Sequence, residues 1–104
     1  MDNQVKEILP EQVETLIQRG EKMQIIDVRE VYEWNEGHIA QAKLISLGTL
    51  PDRLNELDKS TPIIMVCRSG ARSWSATEFV QRYGFEVANM TGGMLAWQGD
   101  IVKE

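Results

Sequence analysis

Only one cysteine, Cys67, occurs among the 104 residues. The chain can therefore close no internal disulfide, carry no Cys-x-x-C redox pair and build no cysteine-rich zinc site. Long hydrophobic runs are missing too. The longest apolar stretches, such as Ile63-Ile64-Met65-Val66-Cys67, are strand-sized and far short of the roughly 20 apolar residues of a membrane helix. A chain that does not span a bilayer is expected. Basic charge is in the minority, with 11 Lys and Arg against 16 Asp and Glu for a formal net charge of -5. That balance disfavours long-range attraction to nucleic acid or anionic lipid, although a local basic pocket stays compatible with it. The first residues, Met1-Asp2-Asn3-Gln4-Val5-Lys6-Glu7, have neither the basic nor the apolar segment of a secretory signal, so a cytoplasmic location is expected. No repeat or low-complexity tract appears. With 42% hydrophobic and 26% charged residues, eight glycines and three prolines, the composition is that of a globular protein rather than a disordered or collagen-like one.

A length of 104 residues suits one domain, here residues 1–104, with a single core and no second one. We expect a monomer. β-favouring runs occur at residues 5–8, 23–28, 42–47, 62–67 and 85–90. The second and fourth of these are almost wholly apolar, as strands covered on both faces are. Helical spacing links them. Residues 10–19 start on a proline, repeat Val13, Leu16 and Ile17 on one face and stop at Gly20, which together predict a helix. Shorter helices are predicted over 31–35, ending at Gly37, and over 51–57, where Leu50, Leu54 and Leu57 align. A longer one over 72–83 carries Ala76, Phe79, Val80 and Tyr83 as a stripe and ends at Gly84. Strands alternating with helices predict an α/β fold with a mostly parallel five-stranded sheet and helices on both faces. Ligands of such sheets bind beyond the carboxyl ends of the strands.

The informative segment is the apolar run that leads into Cys67-Arg68-Ser69-Gly70-Ala71-Arg72-Ser73, a strand, a short polar loop and the start of a helix. The loop can curl so that its backbone N–H groups point inward, with Gly70 supplying a positive φ. The helix adds its own unsatisfied N–H groups and positive dipole end, and Arg68 and Arg72 bring two cations to the rim. Each of these favours thiolate over thiol. Cysteines in such places have pKa values lowered from about 8.5 towards about 3.5–7.5, which makes Cys67 a nucleophile at neutral pH. A lone cysteine is more often a small hydrophobe closing a strand. Against that reading stand the adjacent arginine, the glycine three residues on and the second arginine at the head of a helix.

With Ile25-Ile26-Asp27-Val28-Arg29-Glu30, Glu33 and Gly37-His38-Ile39 before this loop, and Gly92-Gly93 and Trp97 after it, the chain resembles a single-domain rhodanese over nearly its whole length. The resemblance implies a sulfurtransferase in which Cys67 takes the outer sulfur of an anionic donor such as thiosulfate. The sulfur is then held as a persulfide and passed to cyanide, a thiol or a sulfur-carrier protein. It implies substrate contacts from Arg68, Ser69, Gly70, Ala71, Arg72 and Ser73, and no metal or organic cofactor. Related phosphatase and arsenate-reductase loops have one more residue between cysteine and arginine than the four found here. An oxyanion enzyme of that type is thus the minor alternative, and a non-catalytic interaction module is the other.

Asp27 and Arg29 end the second strand near the expected position of Cys67, and a structural ion-pair network that includes Glu33 is expected of them rather than contact with substrate. His38 is the only histidine and is placed by the resemblance in a connecting turn, not as a general base. Trp34 and Trp97 are expected to pack. Trp74, in the first turn after the loop, is a bulky residue where relatives often have a small one, and it can wall the pocket or cover an exposed face. Glu11, Glu14, Glu56, Glu78 and Glu86 read as solvated surface, which leaves a glycosidase or metal site without support.

Overall fold

The computed structural model describes residues 4–103. Its elements follow in the order β1 (Lys6–Ile8), α1 (Pro10–Gln18), β2 (Gln24–Asp27), α2 (Val31–Glu36), β3 (Ala42–Leu44), a 3₁₀ segment (Leu47–Glu56), β4 (Ile63–Val66), α3 (Ala71–Gln81), β5 (Val87–Met90) and α4 (Gly93–Ala96). The five strands pair in the order β1-β5-β4-β2-β3, and every pairing is parallel. β4 lies at the centre, with Ile63 to Val66 all buried, as a continuous apolar run in a parallel sheet requires.

The side-chain period of two splits this sheet between two cores. Ile26, Ile63, Met65, Cys67 and Val87 join Leu50, Leu57, Ala76 and Val80 in one cluster, which places the 3₁₀ segment and α3 on one face. Ile25, Ile64, Val66 and Met90 join Val13, with Leu16, Ile17, Met94 and Trp97 packed alongside, which places α1 and α4 on the other. Fully burying one such aliphatic side chain contributes about 1.5–3 kcal/mol. Trp97 packs against a core as expected. The Trp34 ring stacks on His38 with centroids 3.4 Å apart.

Two expectations need adjustment, and one element was missed. The tract predicted as a helix over 51–57 belongs to a longer 3₁₀ segment in which Arg53 departs from helical geometry. Pro51 cannot donate a backbone hydrogen bond and Gly48 is a poor helix former, so tight turns replace an α-helix. In α3 the buried positions are Ser73, Ala76, Thr77 and Val80, whereas Tyr83 is 49% exposed. The helix turns small polar residues inward at its N-terminal end because the loop bearing Cys67 needs partners there. The four-residue α4 after Gly92 lacked the periodicity that would have revealed it.

Candidate active site

Backbone pairing delivers the cysteine. The ladder between β2 and β4 continues past the strand ends, where Val28 N donates to Val66 O at 2.8 Å, and Cys67 follows directly at the carboxyl edge of the sheet. Its carbonyl and that of Arg68 accept from Met94 N at 2.8 Å and Leu95 N at 3.0 Å. These bonds draw the loop carbonyls towards α4, and the opposite edge of the loop turns its amides towards sulfur. Gly70 takes φ +105° at the N-terminus of α3, the left-handed conformation that a residue with a Cβ avoids.

Cys67 Sγ accepts from Gly70 N at 3.1 Å and from Ser73 N at 3.3 Å, and Ser73 Oγ lies 3.2 Å away. Burial pushes the thiol up. The Ser73 hydroxyl, when it donates to sulfur, and the amides of Ser73, Gly70 and Ser69 outweigh that effect and leave the pKa below its ordinary value. Anionic sulfur is therefore favoured by hydrogen bonds to the charged form. Ser73 is fully buried, and its hydroxyl also meets Asn89 Oδ1 at short range.

The two loop arginines differ from the expectation of two free rim charges. Arg72 forms a two-pronged ion pair with Glu33, at 2.8 Å from each nitrogen, a geometry suited to the guanidinium fork. The Arg72 hydrogen bonds hold the Glu33 carboxyl at about pKa 2 despite the opposing effect of its burial. Arg72 is thus a partly neutralised strut between α3 and α2. Arg68 is exposed and makes no ion pair among the described residues. It remains available to an incoming anion.

This strut has a measurable pH signature. The Glu33 pKa is depressed in the folded state, so its stabilising contribution is complete above the unfolded value near 4.5 and is lost as pH falls towards about 2. Urea midpoints of the wild type and Glu33→Gln are expected to differ at neutral pH and to converge across that window. A constant gap down to the lower limit would contradict the assignment.

Asp27 and Arg29 form a second, more deeply buried pair. Arg29 Nε donates to Asp27 Oδ1 at 2.9 Å and Nη2 donates to Oδ2 at 2.8 Å. The remaining guanidinium donors reach Glu33 O at 3.3 Å and Gly37 O at 2.8 Å. The pair thereby fastens carbonyls of the C-terminal half and cap of α2 to the end of β2. His38 turns elsewhere, with Nδ1 2.9 Å from Trp34 O and its backbone bridged to Val102. Trp74 is 43% exposed and covers no core. Among the described residues no group of three or more His, Cys, Asp or Glu is placed to hold a metal ion, and no helix is long and apolar enough to cross a membrane.

Two participants carried no signal in the sequence. Asn89, on β5, donates through Nδ2 to Gly70 O at 3.2 Å and to Glu7 Oε1 at 3.1 Å. Neither residue lies near Cys67 in the chain, and only the parallel pairing of β1, β5 and β4 brings them to the loop.

Comparison with known proteins gives a family and a fold for the chain. The family model described as "Rhodanese-like domain" matches residues 9–100. YtwF of Bacillus subtilis is 38% identical over 97 residues, which cover 93% of this chain and 94% of that protein. The thiosulfate sulfurtransferase GlpE of Pseudomonas aeruginosa is 30% identical over 99 residues, covering 94% and 88% respectively. The crystal structure of a rhodanese-like domain protein from Staphylococcus aureus superposes with a TM-score of 0.90 at 33% identity, over 96% of this chain and 99% of that one.

Proposed function

The chain belongs to the rhodanese-like domain family, and from that membership we propose that it transfers sulfane sulfur through a persulfide on Cys67, with thiosulfate or a protein persulfide as donor. The observation that carries the reading is the convergence of Gly70 N, Ser73 N and Ser73 Oγ on Cys67 Sγ. The two backbone amides, Gly70 N and Ser73 N, are fixed in advance around the sulfur and stabilise negative charge without reorganising during the reaction.

In the first half-reaction Cys67 thiolate attacks the outer sulfur of thiosulfate. The new Sγ–S bond forms as the old S–S bond breaks, and sulfite leaves with the electron pair. In the second, a thiophile attacks the outer persulfide sulfur, takes it, and returns the Sγ electron pair to Cys67. Atoms and charge balance without metal or organic cofactor. Arg68, Ser69, Gly70, Ala71, Arg72 and Ser73 form the substrate-binding loop in this proposal, with exposed Arg68 as the first contact of the anion. Asp27 and Arg29 fix the surrounding backbone. The acceptor in the cell is a thiol or a sulfur-carrier protein, met by a monomer of this chain.

Thiocyanate formation from thiosulfate and cyanide tests the proposal. The wild type is expected to turn over and Cys67→Ser to lose activity completely. Arg68→Ala is expected to raise KM for thiosulfate on the order of tenfold with little change in kcat, as loss of one charge-assisted contact does. Hydrolysis of an aryl phosphate in place of sulfur transfer would overturn the reading.

A further inference from the structure

The Ser73 hydroxyl has two acceptors and one proton. Its oxygen lies 3.2 Å from Cys67 Sγ and also hydrogen-bonds Asn89 Oδ1, and both Ser73 and Asn89 are buried. The orientation of the Asn89 carboxamide decides the competition. Its Nδ2 faces Glu7 Oε1 at 3.1 Å and Gly70 O at 3.2 Å, a carboxylate and a carbonyl that can only accept. Turning the amide over would set its oxygen against both. Oδ1 is consequently the atom left facing Ser73, and it too can only accept.

We propose that Asn89 is a positioning residue that holds the Ser73 hydroxyl proton away from Cys67 Sγ, and that Glu7 and Gly70 O lock it in that orientation. With the proton directed to Asn89, the Ser73 lone pair faces the sulfur and accepts from a neutral S–H. Ionising Cys67 removes that S–H and calls the Ser73 proton towards Sγ. The Ser73–Asn89 bond then breaks, leaving two buried oxygens close together with no proton between them. A persulfide makes no such demand, because its charge sits on the outer sulfur and the bridging Sγ is a weak acceptor. Asn89 thus favours thiol and persulfide over free thiolate.

On the sulfur-transfer reading above, this has two effects. The thiolate that does form is less stabilised and more nucleophilic, since nucleophilicity rises with thiol pKa. The loaded persulfide is also held against release until a thiophile arrives. The charged and titratable groups around the sulfur are Arg72, which is electrostatically coupled to Cys67 and to nearby Tyr32, the Glu33 carboxylate paired with Arg72, Arg68 on the loop, and Glu7 behind Asn89. None of the three variants below replaces any of these groups.

The test is the pH dependence of iodoacetamide alkylation of Cys67 in the full chain, for wild type, Asn89→Leu, Ser73→Ala and the double variant. Asn89→Leu is expected to lower the apparent thiol pKa by about half a unit to one unit, the worth of one neutral hydrogen bond. In the Ser73→Ala background the same substitution is expected to leave the pKa where it was. An unchanged or raised pKa in folded Asn89→Leu, or an equal shift without Ser73, overturns the proposal. Should Asn89→Leu fail to fold, the wild type decides by NMR. Nuclear Overhauser contacts from the Asn89 amide protons to the Glu7 methylenes support the assigned orientation, and contacts to the Ser73 methylene instead refute it. Alkylation reads the thiol whether or not sulfur is transferred, so failure here is distinct from failure of the proposed function.

Discussion

Gly93→Ala is expected to reduce thiocyanate formation at least about a hundredfold while the sheet stays folded. A Cβ at this position would collide with the carbonyl oxygens of both Cys67 and Arg68 and with Arg68 C. These are backbone atoms and cannot swing aside. Gly93 also has φ +57°, where an L side chain costs roughly 1–2 kcal/mol. The same carbonyls accept from Met94 N and Leu95 N, so relief of the collision must push α4 and the loop bearing Cys67 apart. A displacement of about 1 Å at a reacting group is enough to lose on the order of a hundredfold in rate. Circular dichroism close to wild type, together with the kinetic loss, would identify the loop as the casualty. Gly48→Ala is the control, because a Cβ there meets nothing within 4 Å and activity is expected to persist. Full activity in Gly93→Ala would contradict the close approach of the two segments.

The largest loss of stability is expected from Asp27→Ala. Its carboxylate is 1% exposed and the Arg29 side chain 7% exposed. Their mutual hydrogen bonds are supplemented by Arg29 N to Asp27 Oδ1 at 3.0 Å. Truncation strands a guanidinium in the interior, which costs about 3–5 kcal/mol out of a typical total of about 5–15 kcal/mol. For a domain of this size that corresponds to a fall in Tm of roughly 15 °C or more, read by thermal denaturation. The exposed Arg53–Glu56 and Lys43–Glu56 bridges are the contrast, since exposed pairs contribute little. A Tm within a few degrees of wild type for Asp27→Ala would show that water reaches Arg29 and that the pair is not structural.

Much of the architecture was legible because its signals are local. The apolar run over Ile63–Val66 suits a strand covered on both faces, and Pro10 with Gly20 brackets α1 closely. Gly70 before an arginine-bearing helix announced the turn that the loop makes. What escaped was pairwise and distant in sequence. Arg72 reads as a free cation until α2 folds Glu33 against it across 39 positions. Asn89 and Glu7 carry no local signal, and only parallel pairing sets Asn89 against Gly70 and Ser73 with Glu7 behind it. The 3₁₀ segment was misread as an α-helix because its leucine spacing fits both, and Pro51 with Gly48 decided the matter through backbone chemistry that side-chain periodicity does not report.

The most direct test of the sulfur-transfer account is the intact mass of the reduced protein before and after thiosulfate, then after cyanide, with Cys67→Ser alongside. The account predicts that thiosulfate adds one sulfur atom to the wild type, that cyanide removes it, and that the variant never gains it. Sulfur uptake by Cys67→Ser, or a wild-type mass unmoved by both thiosulfate and a protein persulfide donor, would contradict it.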